Sequence, residues 1–154
     1  MSPQITIRLM EENDIEQVFC IEQECFSTPW SKKSFQDALQ YKTYRFWVAE
    51  EQGEVLGYIG LITTGVEADI TNVAVSARNQ RRGIGQQLVS NILQDAMELE
   101  VETIFLEVRK SNEKAKKLYE KMGFISIAIR ENYYQNPRED AIIMSVDLST
   151  RKRK

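Results

Sequence analysis

Histidine is absent from these 154 residues, and cysteine and proline are scarce at two and three copies. Without histidine the side chain that most often moves protons near neutral pH is missing, so any acid–base work falls to carboxylates, phenols or amines. Two cysteines and no histidine also leave too few soft ligands for a zinc site, and no metal is expected. Cys20 and Cys25 lie five apart in a stretch that reads as helical, so they point to different sides and a disulfide between them is geometrically poor. They are expected to be small buried hydrophobes in a reducing compartment. No apolar run approaches the roughly 20 residues that span a bilayer, so no membrane association is expected. The start, "MSPQITIRL", lacks the basic-then-apolar pattern of a secretory leader, which makes the cytoplasm the expected location.

What is present is ordinary for a soluble globular protein: 42% hydrophobic and 28% charged residues. No linker, repeat or low-complexity stretch divides the chain, which reads as one domain over residues 1–148. Residues 149–154 form a basic tail ending in "RKRK", expected to be disordered; contact with RNA or a ribosome is its alternative role. Net charge is −3, and without those four cations the body carries −7. An acidic body suits a cationic substrate and argues against direct nucleic-acid binding.

Periodicity predicts the element order. "QITIRL" alternates as a first strand, and Asn13 or Asp14 caps a helix carrying Ile15, Val18, Phe19 and Glu22. Pro29 breaks that helix and Ser31 starts another, with Phe35, Ala38 and Leu39 on its buried stripe. "YRFWVAE" and "EVLGYIGLITT" form a hairpin turning at Gly53, and "EADITNVAV" is a fourth strand. The longest helix begins at "RRGIGQQL" and buries Ile84, Leu88, Ile92, Ala96 and Leu99. "ETIFLEV", the helix "SNEKAKKLYEKMG", "FISIAIRENYY" and "DAIIMSVDL" complete the series. The order implies an α/β fold: a mixed sheet of about seven strands with helices on both faces.

The junction "NQRRGIGQQL" raises the question of function. Two arginines and two glycines stand where a helix begins, a place that offers free N–H donors and partial positive charge to an anion. The dinucleotide fingerprint fails because Leu88 occupies its third glycine, and the P-loop fails because Gln86 and Gln87 follow Gly85. On these residues alone, phosphate binding and a plain strand-to-helix turn with solvated arginines both stand.

Gln80-x-x-Gly83-x-Gly85 after the strand "NVAV", with "NEKAKKLYEKMGF" downstream, resembles the GCN5-related N-acetyltransferase (GNAT) family over nearly the whole chain. The resemblance implies the GNAT acyl-CoA N-acyltransferase fold and acetyl-CoA as cosubstrate. It implies that Val73, Ala74 and Val75 bond the pantetheine arm, and that Arg81, Arg82, Gly83, Ile84, Gly85 and Gln86 hold the diphosphate. Gln86 departs from the pattern, standing where an arginine or lysine often sits.

Acetylating an amine requires a base for the amine and an acid for the departing thiolate. Glu107 sits in a strand near the sheet's centre and is either a base or a partner of Arg109 two residues along. Tyr119 shares a helix stripe with Ala115, Leu118 and Met122, so it is either core packing or an acid. Asn112 suits a helix N-cap. "LEVRKSNEKAKKLYEKMGF", "RENYYQNPREDAIIM" and "CFSTPWSKKSF" are together similar to the RimI-type subgroup. Its members acetylate the N-terminal alanine of a small-subunit ribosomal protein by direct attack in a ternary complex. That similarity implies Glu107 as general base through water, Tyr119 as general acid toward sulfur, and a coenzyme contact for Asn112.

The stretch "ENYYQNPRED" is either a polar hairpin loop or, with Trp30 of "PWS", the wall of a cleft for a peptide N-terminus. In the second reading Tyr133, Tyr134, Glu139 and Asp140 meet the substrate, the acids suiting an early basic residue. Two other functional classes remain open: a GNAT enzyme for a small amine or lysine side chain, and a CoA-binding protein without turnover.

Overall fold

The computed structural model describes residues 4–151, so the end of the basic tail lies outside the described residues. Seven strands form one mixed sheet: β1 (Thr6–Leu9), β2 (Tyr44–Glu51), β3 (Glu54–Thr64), β4 (Glu67–Val75), β5 (Thr103–Arg109), β6 (Ile125–Tyr134) and β7 (Glu139–Asp147). Their spatial order is β1-β2-β3-β4-β5-β7-β6, antiparallel throughout except for the parallel pair β4–β5. Four helices cover it: α1 (Ile15–Cys25), α2 (Lys32–Leu39), α3 (Ile84–Glu98) and α4 (Glu113–Lys121). The expected element order, the seven strands and the helices on both faces are all present.

Two cores result. Ile84, Leu88, Val89, Ile92, Leu93 and Ala96 of α3 pack on one face of the sheet, together with Tyr119 of α4 and with Ile104, Leu106 and Val108 of β5. On the other face Ile15, Val18 and Ile21 of α1 and Phe35 and Ala38 of α2 meet Phe46, Val48, Tyr58 and Ala74. Because side chains alternate along a strand, burial of Leu106 and Val108 against α3 turns Glu107 and Arg109 to the α1 face.

Local chemistry accounts for the element ends. Ser31 caps α2 by accepting from the Ser34 amide at 3.0 Å. The β2–β3 turn uses Gln52 and Gly53, with φ of 51° and 83°, the left-handed pair a two-residue hairpin needs. Asp14 stands at the start of α1 but does not cap it. Its carboxylate instead holds Arg8 at 2.8 and 2.9 Å, which keeps it well below the usual carboxylate range. Leu99, expected in the buried stripe, lies past the end of α3 and is exposed. The cysteines are likewise free and exposed rather than buried.

The feature that prepares a site is a split in the sheet. β4 and β5 pair only over Glu67–Thr103, Ala68–Ile104 and Asp69–Phe105. Just beyond, the β3–β4 register slips by one, leaving Thr71 as an extra residue between Ile70 and Asn72. Such a bulge bends and twists its strand, which carries β4 away from β5. It also reverses the alternation: Ala68 and Ile70 face the α3 core before it, and Val73 and Val75 pack there after it. From Ile70 to Val75, β4 has β3 on one side and no strand on the other among the described residues.

Candidate active site

The free edge of β4 leads through the turn at residues 76–83 into α3. Gly83 is the N-cap residue with φ 77° and ψ 14°, a left-handed conformation that a side chain disfavours. No side chain caps this helix, and its first turn holds no acidic residue. The amides of Ile84, Gly85 and Gln86 therefore find no protein acceptor among the described residues; the first bond closed is Gln87 N–H to Gly83 C=O at 3.1 Å. A β-carbon on Gly85 would stand 3.4 Å from Leu118, so α4 packs directly against this first turn.

The two arginines part company. Arg82 is held by Glu51 at 2.7 and 3.2 Å and by Asn79 at 2.9 Å, so its cation is already paired. Arg81, with φ 69°, has no hydrogen bond or ion pair among the described residues. Gln86, where a cation was expected to be missing, accepts from Lys121 of α4 at 3.1 Å, and Gln80 accepts from Lys114 at 3.5 Å. Two α4 lysines thus flank the turn. Asn112 caps α4 by accepting from the Ala115 amide at 3.2 Å. An open groove of about 670 Å³ beside α3, lined by Ile7, Gly83, Gln86, Gln87 and Asn91 among others, reaches the start of the helix at Gly83 and Gln86.

Across the split, Glu107 is part-buried on β5. Its partner is Arg130 of β6 at 3.5 Å, not the Arg109 two residues along its own strand. Arg109 is used differently: it donates to the Pro137 and Gln135 carbonyls at 2.9 and 3.1 Å, pairs with Glu139 at 3.3 Å and stacks 4.4 Å over Tyr134. Burial pushes the Glu107 carboxyl above its ordinary range, Asp69 at the crotch of the split pushes it further, and Arg130 draws it partly back. Asp69 is itself raised, by burial and by Glu67.

Tyr119 is 5% exposed and lies edge-on to Phe124 at 5.7 Å, so the expected packing role is real. Its hydroxyl has no hydrogen-bond partner among the described residues, and burial raises its pKa well above that of a free phenol, with Tyr134 adding to the rise. Tyr134 is pushed up to about 12 by burial and then by Tyr133 and Glu107. Tyr134 bears electrostatically on Tyr119, and Glu107 bears on Tyr134.

The remaining expected site residues fall elsewhere. The Glu139 carboxylate accepts from the Ser111 amide and pairs with Arg109, and Asp140 accepts from the Asn132 amide at 2.9 Å. Glu139 ties the β6–β7 hairpin to β5 and its charge is paired with Arg109, whereas Asp140 ties the hairpin to itself through one oxygen and has no cation partner among the described residues. The Trp30 ring packs into the second core against Phe35, Phe46 and Tyr44, at 5.2, 5.8 and 6.1 Å. Tyr133 is 45% exposed beneath Arg130. Sequence reasoning missed Asp69, Arg130 and the α4 lysines. The lysine spacing in "KAKKLYEK" was visible; strand register alone supplies the other two.

A free strand edge, a helix start with unclaimed amides, a raised carboxyl on β5 and a buried phenol on α4 are the features this part of the fold presents. The Acetyltransferase (GNAT) family model matches residues 15–124. The chain belongs to this family. A GNAT relative from Escherichia coli K12, named ribosomal protein bS18-alanine N-acetyltransferase, is 36% identical over 146 residues, covering 94% of this chain and 98% of its own. The crystal structure of the ribosomal-protein-S18-alanine N-acetyltransferase from Escherichia coli shares the GNAT fold at TM-score 0.88 and 34% identity, over 97% of each chain. Ard1 from Thermoplasma volcanium matches at TM-score 0.86 and 30% identity, over 93% of this chain and 97% of that one.

Proposed function

We propose that this GNAT enzyme transfers the acetyl group of acetyl-CoA to the N-terminal alanine of a small-subunit ribosomal protein. The observation that carries the chemistry is the split: β4's free edge runs into the unclaimed amides of α3 and faces a raised carboxyl on β5. The substrate follows from the Escherichia coli relative, whose name states that acceptor and whose likeness spans nearly the full chain.

The residues fit acetyl-CoA. Amides of Gly83 to Gln86 and the cations Arg81, Lys114 and Lys121 would hold the phosphates, and the Val73–Val75 edge would pair with the amide-bearing pantetheine arm. When bound, the coenzyme supplies an activated acyl group as a thioester. Glu107 accepts the proton that the acceptor's ammonium must lose, directly or through one water, before the neutral amine attacks the thioester carbonyl. An N–H on the free edge of β4 donates to the carbonyl oxygen as charge gathers there. Tyr119 gives its proton to the departing sulfur. Its raised pKa suits this role, because the phenol stays protonated through the pH range in which the amine becomes neutral. Arg82 is paired with Glu51 and so contributes less to phosphate than Arg81, and Trp30 and Glu139 are engaged within the protein and shape the walls.

The test is incubation with acetyl-CoA and peptides that differ only at residue one, read by intact mass. Alanine-started peptides should gain one acetyl group at the α-amine. Modification only of lysine side chains or small amines would assign the enzyme to another acceptor class.

A further inference from the structure

Glu22 is 2% exposed in the second core, a carboxylate that the chemistry above does not use. Each of its oxygens is engaged. One accepts from the Tyr58 hydroxyl of β3 and from the Asn72 side-chain amide of β4 at 3.2 Å. The other accepts from the backbone N–H of Trp30, in the segment joining α1 to α2, at 2.9 Å. Asn72 is fixed in turn by the Thr71 hydroxyl, 2.6 Å from its carbonyl oxygen, and Thr71 is the bulge residue that bends β4 off β5.

Neighbouring residues of the same helical turn bind the same strand. The Cys25 thiol donates to the Val75 carbonyl at 3.5 Å, and Glu24 accepts from the Ala77 amide at 2.5 Å. The end of α1 therefore grips β4 and its exit over the stretch where β4 has lost β5. A buried carboxylate is costly unless its lone pairs are filled, and a hydrophobe would stabilise this core at less expense. What a carboxylate adds is geometry, since three donors from three segments must converge on it.

We infer that Glu22 is a positioning residue that fixes the α1–α2 segment, a wall of the acceptor cleft, relative to the coenzyme-binding edge of β4. This rests on the acyl-transfer reading above. Glu107 and Tyr119 stand on β5 and α4, outside the network, so loosening it should disturb acceptor placement more than the chemical groups.

Glu22→Gln keeps one acceptor oxygen for Tyr58 and Asn72 but turns an NH2 toward the Trp30 N–H, setting donor against donor. The expected result is a peptide KM raised roughly 10-fold or more, with kcat at saturating peptide and the acetyl-CoA Kd changed less than about threefold. In the coenzyme-bound protein the Trp30 amide should exchange with solvent roughly 10-fold faster or more. Asn72→Ala is the second variant. It leaves Glu22 bonded to Trp30 and Tyr58 and should raise the acetyl-CoA Kd while the Trp30 amide stays protected. Unchanged peptide KM and unchanged Trp30 exchange in folded Glu22→Gln would overturn the inference, as would an unchanged acetyl-CoA Kd in Asn72→Ala if Glu22→Gln does not fold. Should the unmodified enzyme acetylate no peptide, the substrate reading fails on its own, and amide exchange with acetyl-CoA Kd still decides the role of Glu22.

Discussion

Glu107 must be ionised to accept a proton, so kcat/KM should rise with pH through its titration. Because its pKa is raised, that rise should lie above the usual ~4.3 of a glutamate. The neighbours give the sign of two shifts. Asp69→Asn removes a like charge and should move the acidic limb to lower pH; Arg130→Gln removes the opposing cation and should move it higher. Both are read from kcat/KM profiles. Glu107→Gln should lower kcat about 10²-fold or more with acetyl-CoA affinity retained, measured by steady-state kinetics and calorimetry. Tyr119→Phe should slow turnover by a similar factor; since that phenol titrates far above neutrality, it should impose no alkaline limb on the unmodified enzyme. The sequence singled out Glu107 but named Arg109 as its possible partner. The pairing with Arg130 depends on how β6 and β7 align, with two register slips that no local pattern announces.

At the scale of elements, the start of α3 carries the argument for coenzyme binding. Gly83→Ala meets no steric obstruction, yet its φ of 77° costs an L-residue about 1–2 kcal/mol. The variant should unfold at lower denaturant and bind acetyl-CoA more weakly, because relief of the strain moves the amides of the first turn. Equal affinity with reduced stability would separate the turn's fold from its ligand. This junction was legible because glycine at a helix start has a local physical reason. The split between β4 and β5 was not. "EADITNVAV" alternates cleanly, and only pairing to β3 reveals that Thr71 is an extra residue and that the alternation reverses there. The ion pair of Arg82 was hidden for the same reason: its partner Glu51 is 31 positions away.

Across the whole molecule, one sheet organises two cores, and the site lies where the sheet opens between them. Element order and helices on both faces followed from periodicity, since burying an apolar stripe is a local demand repeated along the chain. The exposed cysteines did not follow, because exposure depends on which helix face the sheet covers. Coenzyme that binds only the folded split should stabilise the entire domain by about 2.7 kcal/mol at one hundred times its Kd. Thermal unfolding in a coenzyme titration checks this, and Gly83→Ala should show less stabilisation at the same concentration.

The most direct measurement is a crystal structure of the protein with acetyl-CoA bound. The diphosphate should lie within hydrogen-bonding distance of the amides of Gly83 to Gln86, the pantetheine arm along Val73 to Val75, and the thioester between Glu107 and Tyr119. A diphosphate bound elsewhere, or a thioester remote from both side chains, would contradict the mechanism.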